Sequence, residues 1–236
     1  MNDHSYYEKR QSILCGITIA IFFLTTHVLV EQKFFVKMLL SIADLEFWVH
    51  YFDPILYFVF AVIFMIIQRK TLLRCLKDYR ENYKKYLSHV VIAVPITMIL
   101  IVIVAITLSS FGIGDSTNEA AVNEALKVNP LIQGVTVIFI GPFVEEMIFR
   151  GFLYEKVRSL IGNDKRLIIW LWIFVASVLF MLNHCDLEDF QSLKLMASYL
   201  IVFVEGLVMT GLYEKDRNIF SSLLLHCCIN AIASLN

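Results

Sequence analysis

Charge is scarce in this sequence. Asp, Glu, Lys and Arg make up 17% of its 236 residues, against about 25% in a soluble globular domain. The few charges also balance, at 20 Lys+Arg to 21 Asp+Glu. No bulk field of one sign therefore points to a polyanionic partner, and a nucleic-acid binder is excluded. Four prolines and nine glycines leave no Gly/Pro/Ser linker and no low-complexity tract, so one structural domain overall is expected. Cysteine is equally unhelpful as a framework: there are five, an odd number without a CxxC spacing. A secreted disulfide scaffold is excluded, and Cys15, Cys75, Cys185, Cys227 and Cys228 read as small apolar fillers.

What fills the chain instead is apolar: 58% of the residues are hydrophobic and the mean hydropathy is +0.71. Seven spans of about 20 residues would use roughly 140 positions, nearly the same share of the chain. The expected fold is all-α, a polytopic membrane helical bundle of about seven transmembrane helices (range six to eight), because a lone apolar run must satisfy its own backbone. The candidate spans are Ile13 to Val30, Phe47 to Ile67, His89 to Leu108, Leu131 to Phe149, Leu167 to Leu182, Leu195 to Tyr213 and Ile219 to Leu235. The first resembles a signal peptide, but no A-x-A-like site follows, so it reads as an uncleaved helix. With the N-terminus inside, the cytoplasmic segments hold 16 Lys+Arg and the outer ones four. The expected localisation is the cell membrane, multi-pass, N-terminus cytoplasmic and C-terminus extracytoplasmic.

Between spans, Gln68 to Tyr86 is basic with aromatic and aliphatic residues interleaved, the pattern of an interfacial helix against anionic headgroups. Ser116 and Glu119 form an S-x-x-E capping box that opens a short helix ending before Asn129-Pro130. Gly112-x-Gly114-Asp115 falls in this polar segment and reads as a turn.

Ionisable groups at bilayer depth are costly, and each is a functional candidate. Asp53 and Glu205 stand alone and read first as packing or interfacial partners. His27, His50 and His89 lie near span ends, where wet or capping roles suffice. The fourth span is different, since it carries two adjacent carboxylates, Glu145 and Glu146. Glu146 and Arg150 are one turn apart and form a mutually neutralising pair. Glu145 points about 100° away and needs a partner on another helix, as a general base in a low-dielectric site does. Phe180 and His184 share a face at the end of span five. His226 and Asn230 share one in span seven.

Taken in order, Glu145-Glu146-x-x-x-Arg150, Phe180-x-x-x-His184 and His226-x-x-x-Asn230 resemble the three motifs of the CPBP (Abi) family of intramembrane proteases. That family includes type II CAAX prenyl endopeptidases and bacteriocin-processing or self-immunity proteins. The resemblance covers residues 131–236, expected to be the catalytic helical core. Residues 1–130 form an N-terminal transmembrane region without family motifs.

The resemblance implies hydrolysis of a peptide bond in a membrane-associated peptide or protein. Glu145 would act as base on a water and His184 would hold that water, while His226 and Asn230 would donate to the oxyanion. Glu146, Arg150 and Phe180 would serve as structural support. Two versions stay open: no cofactor, or a zinc ion held by Glu145, His184 and His226. The H-E-x-x-H and G-x-S-G patterns of other intramembrane proteases are absent. The runner-up is a non-catalytic self-immunity or scaffold protein of the same fold, which is disfavoured because every catalytic position is filled. Oligomeric state leaves no mark on the sequence. Straight alternation sets Glu145 nearer the cytoplasmic end and His184 at the outer end. A shared site therefore requires helix four to continue past Arg150 towards Lys156, or helix five to start late.

Overall fold

The computed structural model describes residues 3–26, 46–114, 116–185 and 189–235. Every regular element in them is helical. In chain order these are α1 (Asp3–Phe23), α2 (Glu46–Ile67), α3 (Arg69–Glu81), α4 (Tyr83–Ser110) and α5 (Thr117–Val128). There follow α6 (Pro130–Arg158), α7 (Arg166–Leu182), α8 (Leu193–Asp216) and α9 (Ile219–Ala233). Among the described residues, three helices (α4, α6 and α8) are long and apolar enough to cross a membrane. The number rises to four if the α2–α3 pair, bent by 84°, counts as one span. Helices α7 and α9 are apolar but shorter. His27 and the end of the first expected span lie outside the described residues.

Apolar residues line both the inside and the outside of this bundle. Phe22, Phe64, Ile148, Phe180, Met209 and Leu225 are buried in its core. Helix α4, by contrast, exposes Val91, Ile92, Ile99, Ile103 and Ile106, and α7 exposes Leu167, Trp170 and Phe174. A water-facing surface rarely tolerates a continuous apolar belt of this extent; lipid does.

Helix α6 is the axis. It packs against α2, α7 and α9, while α8 packs between α7 and α4. It also runs well beyond its expected end at Phe149, to Arg158. That extension removes the depth conflict: Glu145 lies about 20 Å from Arg158 along α6, and His184 about 27 Å beyond Arg166 along α7. At its far end α6 is tied to α8 by charged side chains. Arg158 Nη2 lies 2.7 Å from Glu214 Oε1, and the Tyr154 hydroxyl donates to Glu214 at 3.0 Å. Arg217 bridges Glu155 and Glu214 at 2.7 and 2.9 Å.

Two turns of α6 are widened to π-helix, Thr136–Ile140 and Phe149–Tyr154, and they flank the segment Gly141–Ile148. The first has a local cause. Pro142 has no N–H, and its ring crowds the turn before it. The Gly141 N–H reaches back to Thr136 O instead, so neither Gly141 nor Pro142 serves the Val137 carbonyl.

Ser116 accepts from the Glu119 N–H at 3.2 Å and caps α5, as its spacing requires. Gly112 adopts φ 67° in the turn before it. The cysteines are free thiols. Helix α3 turns off α2 at Gln68 and lies against α9 and α4. Asn218, fully buried, fixes it there. Its amide donates to Cys75 O at 2.9 Å and Asp78 Oδ2 at 2.8 Å, while its oxygen caps α9 at the Phe220 N–H. His89, expected at a wet span end, is instead packed against Asp216, with Nδ1 2.6 Å from Oδ1.

Replacing Asn218 by Ala removes the α9 cap and the amide that ties α9 to Cys75 O and Asp78. The expected cost is about 1–3 kcal/mol, read as a lower thermal midpoint in detergent. Asn218→Asp keeps the cap but sets a second carboxylate against Asp78, so it should not rescue.

Candidate active site

Three helices meet at one carboxylate. Glu145 projects from the middle of α6, where Pro142 begins the segment that carries it. Its Oε2 lies 3.8 Å from His184 Nε2, just past the end of α7, and 3.7 Å from His226 Nε2 on α9. These gaps are too long for direct hydrogen bonds and short enough for groups that act on one molecule between them. The site is nearly closed, with side-chain exposures of 12% for Glu145, 16% for His184 and 5% for His226.

Each imidazole has its tautomer set from behind. His184 Nδ1 is 2.9 Å from Phe180 O, and a carbonyl only accepts, so Nδ1 carries the proton. His226 Nδ1 is 3.2 Å from Glu146 Oε1. That oxygen also accepts from Arg150 Nη1 at 2.8 Å, so Glu146 is the ionised acceptor and His226 Nδ1 the donor. Each ring therefore turns its Nε2 towards the Glu145 oxygen. Either ring becomes a donor at Nε2 only as the imidazolium.

Glu146 does more than the helix-register role that its spacing suggested. The Glu146–Arg150 pair is buried to 0% and 1% side-chain exposure. Other helices add contacts to it: Arg150 Nη2 donates to Gly206 O at 3.3 Å on α8. The guanidinium also lies 4.4 Å over the Phe180 ring. Phe180 in turn meets His184 and His226, with ring centroids 4.8 and 5.8 Å away. Gly206 is required for this approach, because a Cβ there would come within 3.2 Å of Phe180 Cδ1.

Asn230, one turn along α9 from His226, donates from Nδ2 to Val137 O at 2.8 Å. That carbonyl is the one orphaned by Pro142, so the amide replaces a missing backbone donor and fixes α9 against α6. A second N–H remains on the same nitrogen. Glu205, one residue before Gly206, was read from the sequence as an isolated packing group. Its carboxylate lies within electrostatic reach of both His226 and Glu145; a lone acid in an apolar run was the only signal for it. Asp53 is exposed on α2, away from this cluster.

The chemistry of Glu145, His184 and His226 suits zinc. Among the described residues no group of three or more His, Cys, Asp or Glu side chains is drawn together as a metal site.

Residues 127–232 match the family described as type II CAAX prenyl endopeptidase Rce1-like. The C-terminal part of the chain is similar to that family. The match spans all the helices that carry the site, and it agrees with the CPBP resemblance seen in the motifs. No curated protein and no solved structure matches the chain. The Rce1-like domain supports a CAAX-type protease embedded in the membrane, acting on a peptide or protein there.

Two predictions follow from the packing. Arg150→Met or Glu146→Gln strands a buried charge and should destabilise by about 3–5 kcal/mol, whereas the double replacement should recover part of that loss. Asn230→Ala should cost about 1–3 kcal/mol through the unpaired Val137 carbonyl. In a Pro142→Ala background the restored N–H serves that carbonyl, so the cost of Asn230→Ala should shrink. Thermal unfolding of the four combinations in detergent checks this, and strictly additive costs would contradict it.

Proposed function

We propose that this protein is an intramembrane endopeptidase in which Glu145 activates water against a peptide bond of a membrane-associated protein or peptide, of CAAX type or a processed peptide. The convergence of Glu145, His184 and His226 within 3.7–3.8 Å carries the reading. In this reading seven helices cross the bilayer with the N-terminus cytoplasmic, and α3 lies on the cytoplasmic face.

The reaction uses the side chains alone. Glu145 takes a proton from a water held at the Nε2 atoms, and the resulting hydroxide adds to the scissile carbonyl carbon. Negative charge develops on the carbonyl oxygen. It is met by the spare Asn230 N–H and by His226, which enters and leaves the cycle as the imidazolium with its Nδ1 proton held by Glu146. In a dry site one such donor is worth about 2.7–4 kcal/mol of barrier. Collapse breaks the C–N bond, and the proton carried by Glu145, relayed through His184, goes to the departing amine. One water is consumed and one acid and one amine are formed.

Glu145→Gln keeps the shape and removes the base. Cleavage of a membrane reporter peptide should fall about 10²–10⁴-fold with the thermal midpoint nearly unchanged, and a chelator should leave the wild-type rate intact. Wild-type cleavage by the Gln variant would indicate a different base. A phenotype that survives this change would point to a non-catalytic immunity or scaffold role. Loss of activity to the chelator with recovery on zinc would replace the metal-free mechanism.

A further inference from the structure

On the face of α6 opposite Glu145 lies a second cavity, of about 200 Å³, several times the ~30 Å³ share of one water. It forms where the chain bends by 84° between α2 and α3, and Met147 and Gly151 make its floor. Its notable group is Gln68 at the bend. This side chain is 4% exposed, and its Nε2 has the Cys15 thiol beside it but no oxygen acceptor. A buried amide left without an acceptor costs about 1–3 kcal/mol, so the site asks for an acceptor. Thr71 and Arg74, one and two turns of α3 onward, line the same wall.

Arg217 and Glu155 close the opposite side. The carboxylate is already matched, by Arg217 Nη2 at 2.7 Å and the Tyr213 hydroxyl at 3.1 Å. The donors that remain are therefore an amide, a hydroxyl and the Arg74 guanidinium. Helix α3 also carries Arg69, Lys70, Lys77 and Arg80 and runs nearly perpendicular to α2, the pose of a basic helix along the headgroup layer.

We propose that this cavity binds a phosphate group, held by Gln68 Nε2, Thr71 and Arg74, and supplied by a phospholipid headgroup or by free phosphate. Bound there, it clamps α3 to α6 on the side away from the catalytic cluster. The site does not depend on the peptidase reading.

The test is thermal unfolding of the full chain in neutral detergent at constant ionic strength. The probes are short-chain phosphatidic acid, the matched diacylglycerol and inorganic phosphate. Phosphatidic acid should raise the midpoint saturably by several degrees, and diacylglycerol should not. An equal shift with inorganic phosphate assigns the free ion, and a shift with the lipid alone assigns the headgroup. Arg74→Ala and Gln68→Glu should each abolish the shift, while Lys77→Ala, on α3 but outside the cavity, should keep it. Should Gln68→Glu fail to fold, exposed Arg74 still decides. The proposal is overturned if neither phosphate compound shifts the midpoint, or if Arg74→Ala and Lys77→Ala reduce the shift equally.

Discussion

One oxygen organises the C-terminal half of this protein. Glu146 Oε1 accepts from Arg150 on its own helix and faces His226 Nδ1 on α9. Arg150 then reaches Gly206 on α8 and lies over Phe180 on α7. A charged pair removed from both water and lipid is stabilised as its remaining hydrogen-bonding capacity is taken up. Here four helices contribute to that, although Glu146 Oε2 and Arg150 Nε stay without a hydrogen bond. The same set of contacts that neutralises the pair fixes where each helix stands, and with it where Glu145, His184 and His226 meet.

The adjacent carboxylates therefore divide the work by direction alone. Successive residues of a helix point about 100° apart. Glu146 turns inward to guanidinium and imidazole, while Glu145 turns towards His184 and the Nε2 atom of His226. Proline supplies a further constraint. By withholding an N–H at position 142 it widens the preceding turn and frees a carbonyl, and Asn230 answers with its amide. A residue expected only as a donor to the reacting oxygen thus has a structural task as well, which leaves one N–H for chemistry.

Much of this was legible in the sequence. Periodicity and hydropathy gave an all-helical membrane protein, and the spacing of Glu146 and Arg150 gave their pairing. The interfacial helix was visible in the alternation of Arg74, Lys77 and Arg80 with Leu72, Leu73 and Leu76, and the Ser116 cap in its S-x-x-E pattern. What could not be read was anything set by contact between helices. The extension of α6 past Arg150 was raised only by the need for a shared site, and the pairing of Arg158 with Glu214 that ties its end to α8 left no local pattern. The His226–Glu146 contact spans distant segments, and no local pattern announces it. Glu205 resembled a stray acid because its neighbours His226 and Glu145 come from other helices.

The central claim is that Glu145 and His184 act on the same water. A double-mutant cycle on reporter cleavage by the purified protein tests it, using Glu145→Ala, His184→Ala and the pair. Residues that serve one step as a unit are strongly non-additive, so the double variant should be no slower than the slower single variant. If instead the two losses multiply, the residues act independently and the shared-water site is wrong.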